Sequence, residues 1–198
     1  MNETEKREKA RFRNFDSPFS PDKFSAFLKD PGIDIGFSGG SRGGANYKPA
    51  FGFTGVDLNY PGYDGLHLPF KTESLKTVHA SHVLEHIYDW EVVIGEWFRV
   101  LEVGGHLIIN VPHQCLYEKQ FKLPSEWNKD HKRFYMPSVL LSEIEMSLDP
   151  NTYRLIYCRD NDWDFNYELG PDDHSEGCYE IECVIQKIKP PTWELKNE

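Results

Sequence analysis

The chain has 198 residues, and its formal net charge is −10. This length suffices for one domain with a sizeable core, and the negative charge argues against nucleic acid, whose phosphates attract cations. The four cysteines form no CxxC pair, which favours reduced thiols over a zinc knuckle. No apolar run approaches the roughly 18 residues that span a bilayer, and the charged N-terminus lacks a signal peptide's apolar core. We therefore expect a cytoplasmic protein with no membrane partner.

The first third of the chain predicts two short strands separated by a glycine-rich turn. Residues 1–19 are expected to form an arm, and Ser20 is expected to cap a helix that ends near Asp30. The first strand, residues 33–35, is very short, and the second is predicted over residues 52–58. Between them, SRGGANYKPAF carries two glycines and a proline, which predicts a short or distorted helix.

The rest of the chain alternates between strand and helix patterns. Asp89 is expected to cap a helix that runs to about Leu101 and is closed by Gly104-Gly105. A long acidic and aromatic loop, residues 160–178, precedes the last strand and is predicted to cover the active face. The remaining predicted elements are strands over 74–81 and 106–112, a helix over 137–148, and antiparallel strands over 152–159 and 179–188. This order predicts a single α/β domain with a doubly wound, mostly parallel sheet.

A glycine turn followed by a second strand that ends in a carboxylate is typical of nucleoside binding. In IDIGFSGG, residues 33–40, glycines let the backbone approach a ligand, and Asp57 ends the second strand, where an acid accepts ribose hydroxyls. Asp34 precedes the first glycine, where dinucleotide sites usually have no acid. An acid there suits a nucleoside ligand that also carries an ammonium group, such as S-adenosylmethionine (SAM).

Four segments in order carry a resemblance to a known family. They are IDIGFSGG, GVDLN (55–59), DGLHLPF with SLKTVHASHVLEHI (64–87), and VLEVGGHLIINVP (100–112). They resemble the glycine turn, ribose acid, L-P-F and L-E-H segments, and double-glycine strand of class I SAM-dependent methyltransferases. The resemblance covers residues 33–112 and implies a seven-stranded type of sheet with SAM as cofactor.

The resemblance also implies roles for individual residues. Gly36 and Gly40, with Ser38 between them, would line the methionine and ribose side. Asp34 would lie near the ammonium group, and Asp57 and Leu58 at the ribose. The remaining implied cofactor contacts are Asp64, Gly65 and Leu66 at the adenine, and Ser81 and His82 at the sulfonium.

This sequence departs from the family pattern at three places, the first of which is the unusually short first strand, residues 33–35. Ser38 replaces the middle glycine of the turn, which changes how closely the backbone can approach the ligand. The gap between Asp57 and Asp64 is short, so we expect the helix and strand that usually lie there to be cut down. Together these changes predict a more open adenosine site and a shortened sheet.

Methyl transfer from a sulfonium is an in-line displacement that depends mainly on positioning. A base is needed only for a hydroxyl or ammonium acceptor, and histidine is the natural base near neutral pH. The predicted catalytic candidates are His113, His131 and His82; the first two are expected to lie nearest the acceptor, because substrates bind beyond the carboxyl ends of the strands. Lys132 and Arg133 suit an anionic acceptor or a solvated face. We expect a small-molecule acceptor, such as a sugar, lipid precursor or metabolite.

Four other interpretations compete with a small-molecule methyltransferase. HVLEH, residues 82–86, matches the HxxEH pattern of inverted zinc peptidases, but L-E-H is expected here in a methyltransferase, so we predict no metal. Residues 160, 162 and 164 alternate as in a calcium loop, yet Phe165 and Pro171 replace its glycine and glutamate. A dehydrogenase would need a full GxGxxG. A non-catalytic SAM- or nucleoside-binding scaffold stays open as the alternative function.

Overall fold

The computed structural model describes residues 24–37, 49 and 52–193. Its centre is a six-stranded sheet, whose strands we number along the chain, with the order β2-β1-β3-β4-β6-β5. The first four strands of that order run parallel, and β6 runs antiparallel to both β4 and β5. The predicted mixed α/β sheet with an antiparallel C-terminal pair is confirmed.

The elements follow the order that the sequence predicts. The strands are β1 (Gly32–Ile35), β2 (Thr54–Val56), β3 (Leu75–Ser81), β4 (Leu101–Pro112), β5 (Tyr153–Asn161) and β6 (Glu180–Lys187). The α-helices of the described residues are α1 (Trp90–Arg99) and α2 (Pro137–Ser147). Single turns of 3₁₀-helix span Phe24–Phe27 and Leu84–His86, and one π-helical turn spans Gln114–Glu118.

The sheet is shorter than the seven-stranded arrangement. In the described part of the chain, no strand lies between Val56 and Leu75, and a run of turns joins β2 to β3 there. β2 is therefore an edge strand of this sheet. The cut-down connector predicted from the short gap after Asp57 is present.

The boundary between α1 and β4 differs from prediction. α1 ends at Arg99, and β4 begins at Leu101, so Gly104 lies inside a strand with a φ of 92° and does not close the helix. Asp89 occupies the cap position of α1, but its side chain makes no capping hydrogen bond. The predicted start of the first helix at Ser20 lies outside the described residues.

The main apolar core lies between one face of the sheet and the two helices. On α1, Val93, Ile94, Trp97 and Phe98 recur at helical spacing and are buried. They pack against alternate residues of the parallel strands, which are apolar because helices cover them. This layer holds the carboxyl ends of β1, β2 and β3 at one edge.

The opposite face of the sheet is polar near that same edge. Register pairs place Ser81, Asn110, Glu182 and Arg159 side by side on adjacent strands. Arg159 and Glu182 form an ion pair of 2.9 Å between their Nη2 and Oε2 atoms. A smaller apolar cluster, which includes Phe24 and Ile108, covers the other half of this face.

Candidate functional site

The carboxyl ends of the parallel strands form the candidate site. Gly36 follows β1 with a φ of 82°, and its N–H donates to the Val56 carbonyl at 2.8 Å. A Cβ atom at Gly36 would lie 2.4 Å from Cγ2 of Val83, which follows β3. Backbone conformation and close packing therefore both require glycine here, and the turn is held against the ends of β2 and β3.

Two of the predicted cofactor-binding acids converge beside Tyr63. Burial, followed by the negative charges of Asp57 and Asp64, raises the pKa of Tyr63 to about 12. Next to these acids, a Cβ atom at Gly65 would lie 3.1 Å from Cδ2 of Leu58. The structure thus brings together the residues predicted to hold ribose and adenine.

Asp64 organises the connector on which it lies. Its Oδ1 accepts hydrogen bonds from the N–H groups of Leu66 (2.9 Å) and His67 (2.6 Å), and its Oδ2 lies 2.9 Å from His67 Nδ1. These donors hold the pKa of the Asp64 carboxyl well below its usual range, and the pairing raises the pKa of His67. Asp64 is exposed and remains a carboxylate at neutral pH.

Helix α1 anchors the L-P-F part of this connector. The Arg99 guanidinium donates to the carbonyls of Phe70 (3.0 Å) and Leu68 (3.1 Å), and the Leu68 N–H donates to Glu96 Oε2 at 3.0 Å. Arg99 and Glu96 also pair with each other, with 2.7 Å between Nε and Oε1. The connector that carries the predicted adenine contacts is therefore fixed to the main core although it contains no regular element.

Ser81 and Asn110 lie on the two central strands of the sheet, at its carboxyl edge, and their side chains are polar. Ser81 ends β3 and is 4% exposed, and Asn110 lies opposite it on β4 and is 1% exposed. Within residues 24–37, 49 and 52–193, the Ser81 hydroxyl and both amide atoms of Asn110 have no hydrogen-bond partner. Buried polar groups are normally satisfied, so these atoms fit a site that a polar ligand completes.

Asp34 is more deeply placed than its predicted role implies. It is fully buried in β1, and its Oδ1 lies 2.8 Å from Nδ1 of His79 on β3. The ring of Phe24 stacks on His79 with 5.6 Å between the ring centroids. The predicted contact with an ammonium group stays a prediction, and the geometry gives Asp34 a structural role in joining β1 to β3.

His82 is the most accessible of the three predicted catalytic histidines. It follows Ser81 in a left-handed conformation, with a φ of 55°, and its N–H donates to the Asn110 carbonyl at 2.9 Å. Its side chain is 27% exposed, with Nε2 3.5 Å from Glu180 Oε1 and Nδ1 3.8 Å from Glu85 Oε1. Two carboxylates therefore flank an imidazole at the end of β3.

His113 caps the π-helical turn after β4. Its Nδ1 accepts hydrogen bonds from the N–H groups of Cys115 (3.0 Å) and Leu116 (3.3 Å), so the proton of the neutral ring lies on Nε2. Burial lowers the pKa of His113, against the opposing charges of Asp160 and Asp162. Because neither nitrogen offers a free lone pair, this arrangement weighs against the predicted role as a general base.

His131 is also buried rather than open to an acceptor. Its side chain is 3% exposed, and its Nδ1 lies 2.5 Å from Oε1 of the buried Glu118. Its Nε2 points to Glu85 Oε1, 3.9 Å away. The predicted catalytic role stays a prediction, and the geometry groups His131 with the L-E-H segment instead.

The L-E-H segment lacks the helix that a zinc peptidase needs. Leu84–His86 is a single 3₁₀ turn, so His82 and His86 do not share an α-helical face. Ser38 and Gly40, the other predicted residues of the glycine turn, lie outside the described residues. In the described loop after β5, Ser175 Oγ donates to the Leu116 carbonyl, which packs the loop on the π-helical turn.

Comparison with known proteins agrees with this geometry. Residues 45–109 match the methyltransferase domain family. Over 100 residues, the chain is 29% identical to a demethylmenaquinone methyltransferase from Streptomyces griseus subsp. griseus, a match that covers 50% of this chain and 40% of that protein. Residues 45–109 are therefore similar to a methyltransferase domain, and this is the family to which the comparisons point.

Solved structures of methyltransferases share the fold of this chain. A chain from the complex of the Haloferax volcanii Trm112 methyltransferase activator with a methyltransferase has a TM-score of 0.59 at 12% identity, covering 97% of this chain and 95% of that one. A SAM-dependent methyltransferase from Methanosarcina mazei has a TM-score of 0.54 at 15% identity, covering 82% and 95%. In the described ranges, no helix of the domain is long and apolar enough to cross a bilayer.

S-adenosylmethionine is the cofactor that the methyltransferase domain implies, and the described residues fit it. Asp57 and Asp64 present carboxylates for hydroxyl and amino groups, and the buried, unpartnered atoms of Ser81 and Asn110 lie at the end of the sheet between them and β6. Bound there, SAM would supply an electrophilic methyl group.

Sequence reasoning missed two parts of this site. Asn110 was assigned only to a strand, although a lone amide within the apolar run LIINVP was a usable signal. Glu118 showed no signal, because its pairing with His131 depends on a turn and a loop that fold back on each other.

Proposed function

We propose that this protein transfers the methyl group of SAM to a small-molecule acceptor at the carboxyl edge of the sheet. The observation that carries the proposal is that Gly36, Asp57 and Ser81 come at the carboxyl ends of the neighbouring parallel strands β1, β2 and β3. Asp64 lies on the connector after β2, and the Ser81 hydroxyl and the Asn110 amide have no hydrogen-bond partner among the described residues. These groups together offer a close backbone approach, two carboxylates and a polar centre. An adenosyl ligand with an amino-acid tail needs all three.

The acceptor would lie beside His82, next to an aromatic cluster. Tyr179 packs edge-on against His82, with 6.0 Å between the ring centroids, and Tyr117 lies 4.9 Å from Tyr179. Trp127 and Phe165 pack against the same cluster. Aromatic faces suit flat or ring-shaped molecules, and the net charge of −10 disfavours nucleic acid.

A metabolite acceptor is also favoured by the Streptomyces relative, whose name gives demethylmenaquinone as its substrate. The chain spans less than half the length of that relative. We therefore propose the chemical class, a small metabolite, and no particular compound.

Positioning would supply most of the rate. Holding acceptor, methyl and sulfur in line can provide an effective molarity on the order of 10⁵ M. Where the acceptor is a hydroxyl, His82 is the best placed of the three predicted histidines to take its proton, because its side chain is 27% exposed, whereas those of His113 and His131 are 7% and 3% exposed. His82→Gln is then expected to spare cofactor binding and slow transfer.

The test follows a labelled methyl group. Purified protein and methyl-labelled SAM are incubated in two parallel reactions. One contains the small-molecule fraction of a cell extract, and the other contains the macromolecular fraction. We expect label in the small-molecule fraction, and much less of it at limiting SAM concentration when Asp57→Asn replaces the wild type. Label in macromolecules alone would overturn the acceptor class. Binding of S-adenosylhomocysteine without any transfer would favour the non-catalytic scaffold.

A further inference from the structure

We propose that Glu85, His86 and His131 bind a divalent transition-metal ion, with zinc as the best match. The three residues each offer one ligand atom, and these atoms all lie within 4.8 Å of one another. The site lies at the carboxyl edge of the sheet, beside the proposed acceptor position. It would be a metal site in addition to the SAM site.

The backbone brings the three ligands together from two distant segments. Glu85 and His86 lie on the 3₁₀ turn after β3, and His131 lies in the loop before α2. The N–H of Lys132, which follows His131, donates to the Glu85 carbonyl at 2.7 Å. This hydrogen bond holds the two segments side by side whether or not a metal is bound.

The distances suit ligands of one ion better than direct hydrogen bonds. Glu85 Oε1 lies 3.6 Å from His86 Nε2 and 3.9 Å from His131 Nε2, whereas N–H···O bonds are about 2.7–3.2 Å long. Two ligands bound tetrahedrally to zinc at about 2.0–2.1 Å are separated by about 3.4 Å. Small side-chain rotations therefore suffice to enclose the ion.

A carboxylate behind His131 completes the arrangement. His131 Nδ1 lies 2.5 Å from Glu118 Oε1. A proton on Nδ1, donated to this carboxyl group, would leave the Nε2 lone pair directed at the site. Metal-binding histidines almost always donate their second nitrogen to such a group, which fixes the ring and raises its basicity.

Burial and charge also favour a cation. Glu85 and Glu118 are 1% and 2% exposed, so two carboxyl groups share one buried cluster of imidazoles. Buried charges in proteins are paired or coordinate metals. Imidazole suits zinc, copper, iron and nickel better than magnesium or calcium.

The ligand set leaves one position open. Two histidines and one glutamate bind zinc in catalytic sites, in which a fourth position holds water or substrate. The His86 side chain is 33% exposed, which gives that position access to the solvent side. If the proposed transfer holds, an acceptor hydroxyl bound there would have a lowered pKa, and its proton would pass to the neighbouring His82.

The test measures metal binding by the untagged, chelator-treated full chain, without reference to activity. We expect calorimetry to give one zinc ion per chain, and cobalt(II) to give the visible absorption bands of a four- or five-coordinate N/O site. His131→Asn and Glu85→Gln should weaken zinc binding by more than about tenfold, and Glu118→Gln by about 10- to 100-fold. Magnesium should bind far more weakly than zinc.

Matched controls separate the site from unspecific binding. His106→Asn removes another buried histidine, which lies on β4 about 13 Å from Asn110 and so from the carboxyl edge of the sheet. Glu91→Gln removes an exposed glutamate of α1. Both should bind zinc as the wild type does. The proposal is overturned if the wild-type protein binds neither zinc nor cobalt, and this result does not depend on whether a variant folds. It is also overturned if the ligand variants bind zinc as tightly as these controls do.

The same samples keep this proposal distinct from the proposed function. Asp57→Asn should lose affinity for S-adenosylhomocysteine and retain zinc, whereas His131→Asn should lose zinc and retain S-adenosylhomocysteine. If the wild-type protein binds only one of the two ligands, zinc or S-adenosylhomocysteine, the ligand that does not bind shows which proposal has failed.

Discussion

Replacing Asp57 with asparagine tests the ribose contact on which the cofactor site depends. Asp57 Oδ1 accepts the hydrogen bond of the Leu58 N–H at 2.7 Å, which asparagine can retain through its own Oδ1. The second carboxylate oxygen becomes an NH₂ group, which cannot accept from a ribose hydroxyl. The change therefore removes one charged hydrogen bond and leaves the local turn intact.

The expected loss follows from that single bond. A hydrogen bond to a charged group contributes about 1.5–3 kcal/mol, which corresponds to an increase of about 10- to 150-fold in Kd. Calorimetry with S-adenosylhomocysteine measures this directly, and circular dichroism checks that the variant is folded. Raising the salt concentration should reduce the difference only slightly, because a short contact to a bound ligand is weakly screened.

Asp149→Asn is the matched control. Asp149 is exposed, and its Oδ1 likewise accepts a backbone hydrogen bond, from the N–H of Asn151 at 2.9 Å. It precedes β5 at the opposite edge of the sheet. If Asp57→Asn weakens binding no more than Asp149→Asn does, Asp57 does not hold the ribose, and the assignment of the site fails.

Two further predictions concern stability. Gly36→Ala should lower the free energy of unfolding by about 1–3 kcal/mol, because its φ is 82° and the new Cβ would collide with Val83. Gly95→Ala in α1, where a Cβ meets open space, should instead raise that free energy by about 0.5–1 kcal/mol; chemical denaturation compares the two, and an equal loss in both would contradict the argument. Burial depresses the pKa of His113 in the folded state. The contribution of neutral His113 to the free energy of unfolding is therefore fully present above the unfolded pKa of about 6.5. It is lost as pH falls through the lower pKa of the folded state. His113→Asn keeps a capping oxygen and should flatten the pH dependence of unfolding on the acid side; an unchanged pH profile would show that His113 does not cause it.

The order of elements was predictable because it follows from local pattern. Apolar runs separated by glycine, proline and aspartate mark strands such as β3, and Val93 and Trp97 recur at helical spacing on α1. The short gap between Asp57 and Asp64 likewise predicted that the strand usually found after β2 is missing. Boundaries were predicted less well: β4 begins at Leu101 because it pairs with Leu75 across the sheet, which outweighs the local preference of Gly104 for a turn.

The sequence by itself determined the α/β order of elements, the glycine turn at Gly36, and the acids Asp57 and Asp64, because each depends on residues close together in the chain. Only the tertiary structure decided that Asp34 is buried against His79, that the His113 ring caps a turn, and that Glu85, His86 and His131 converge. Those relations join residues far apart in the chain. Their burial and protonation depend on neighbours that chain folding brings together, and no local pattern encodes them.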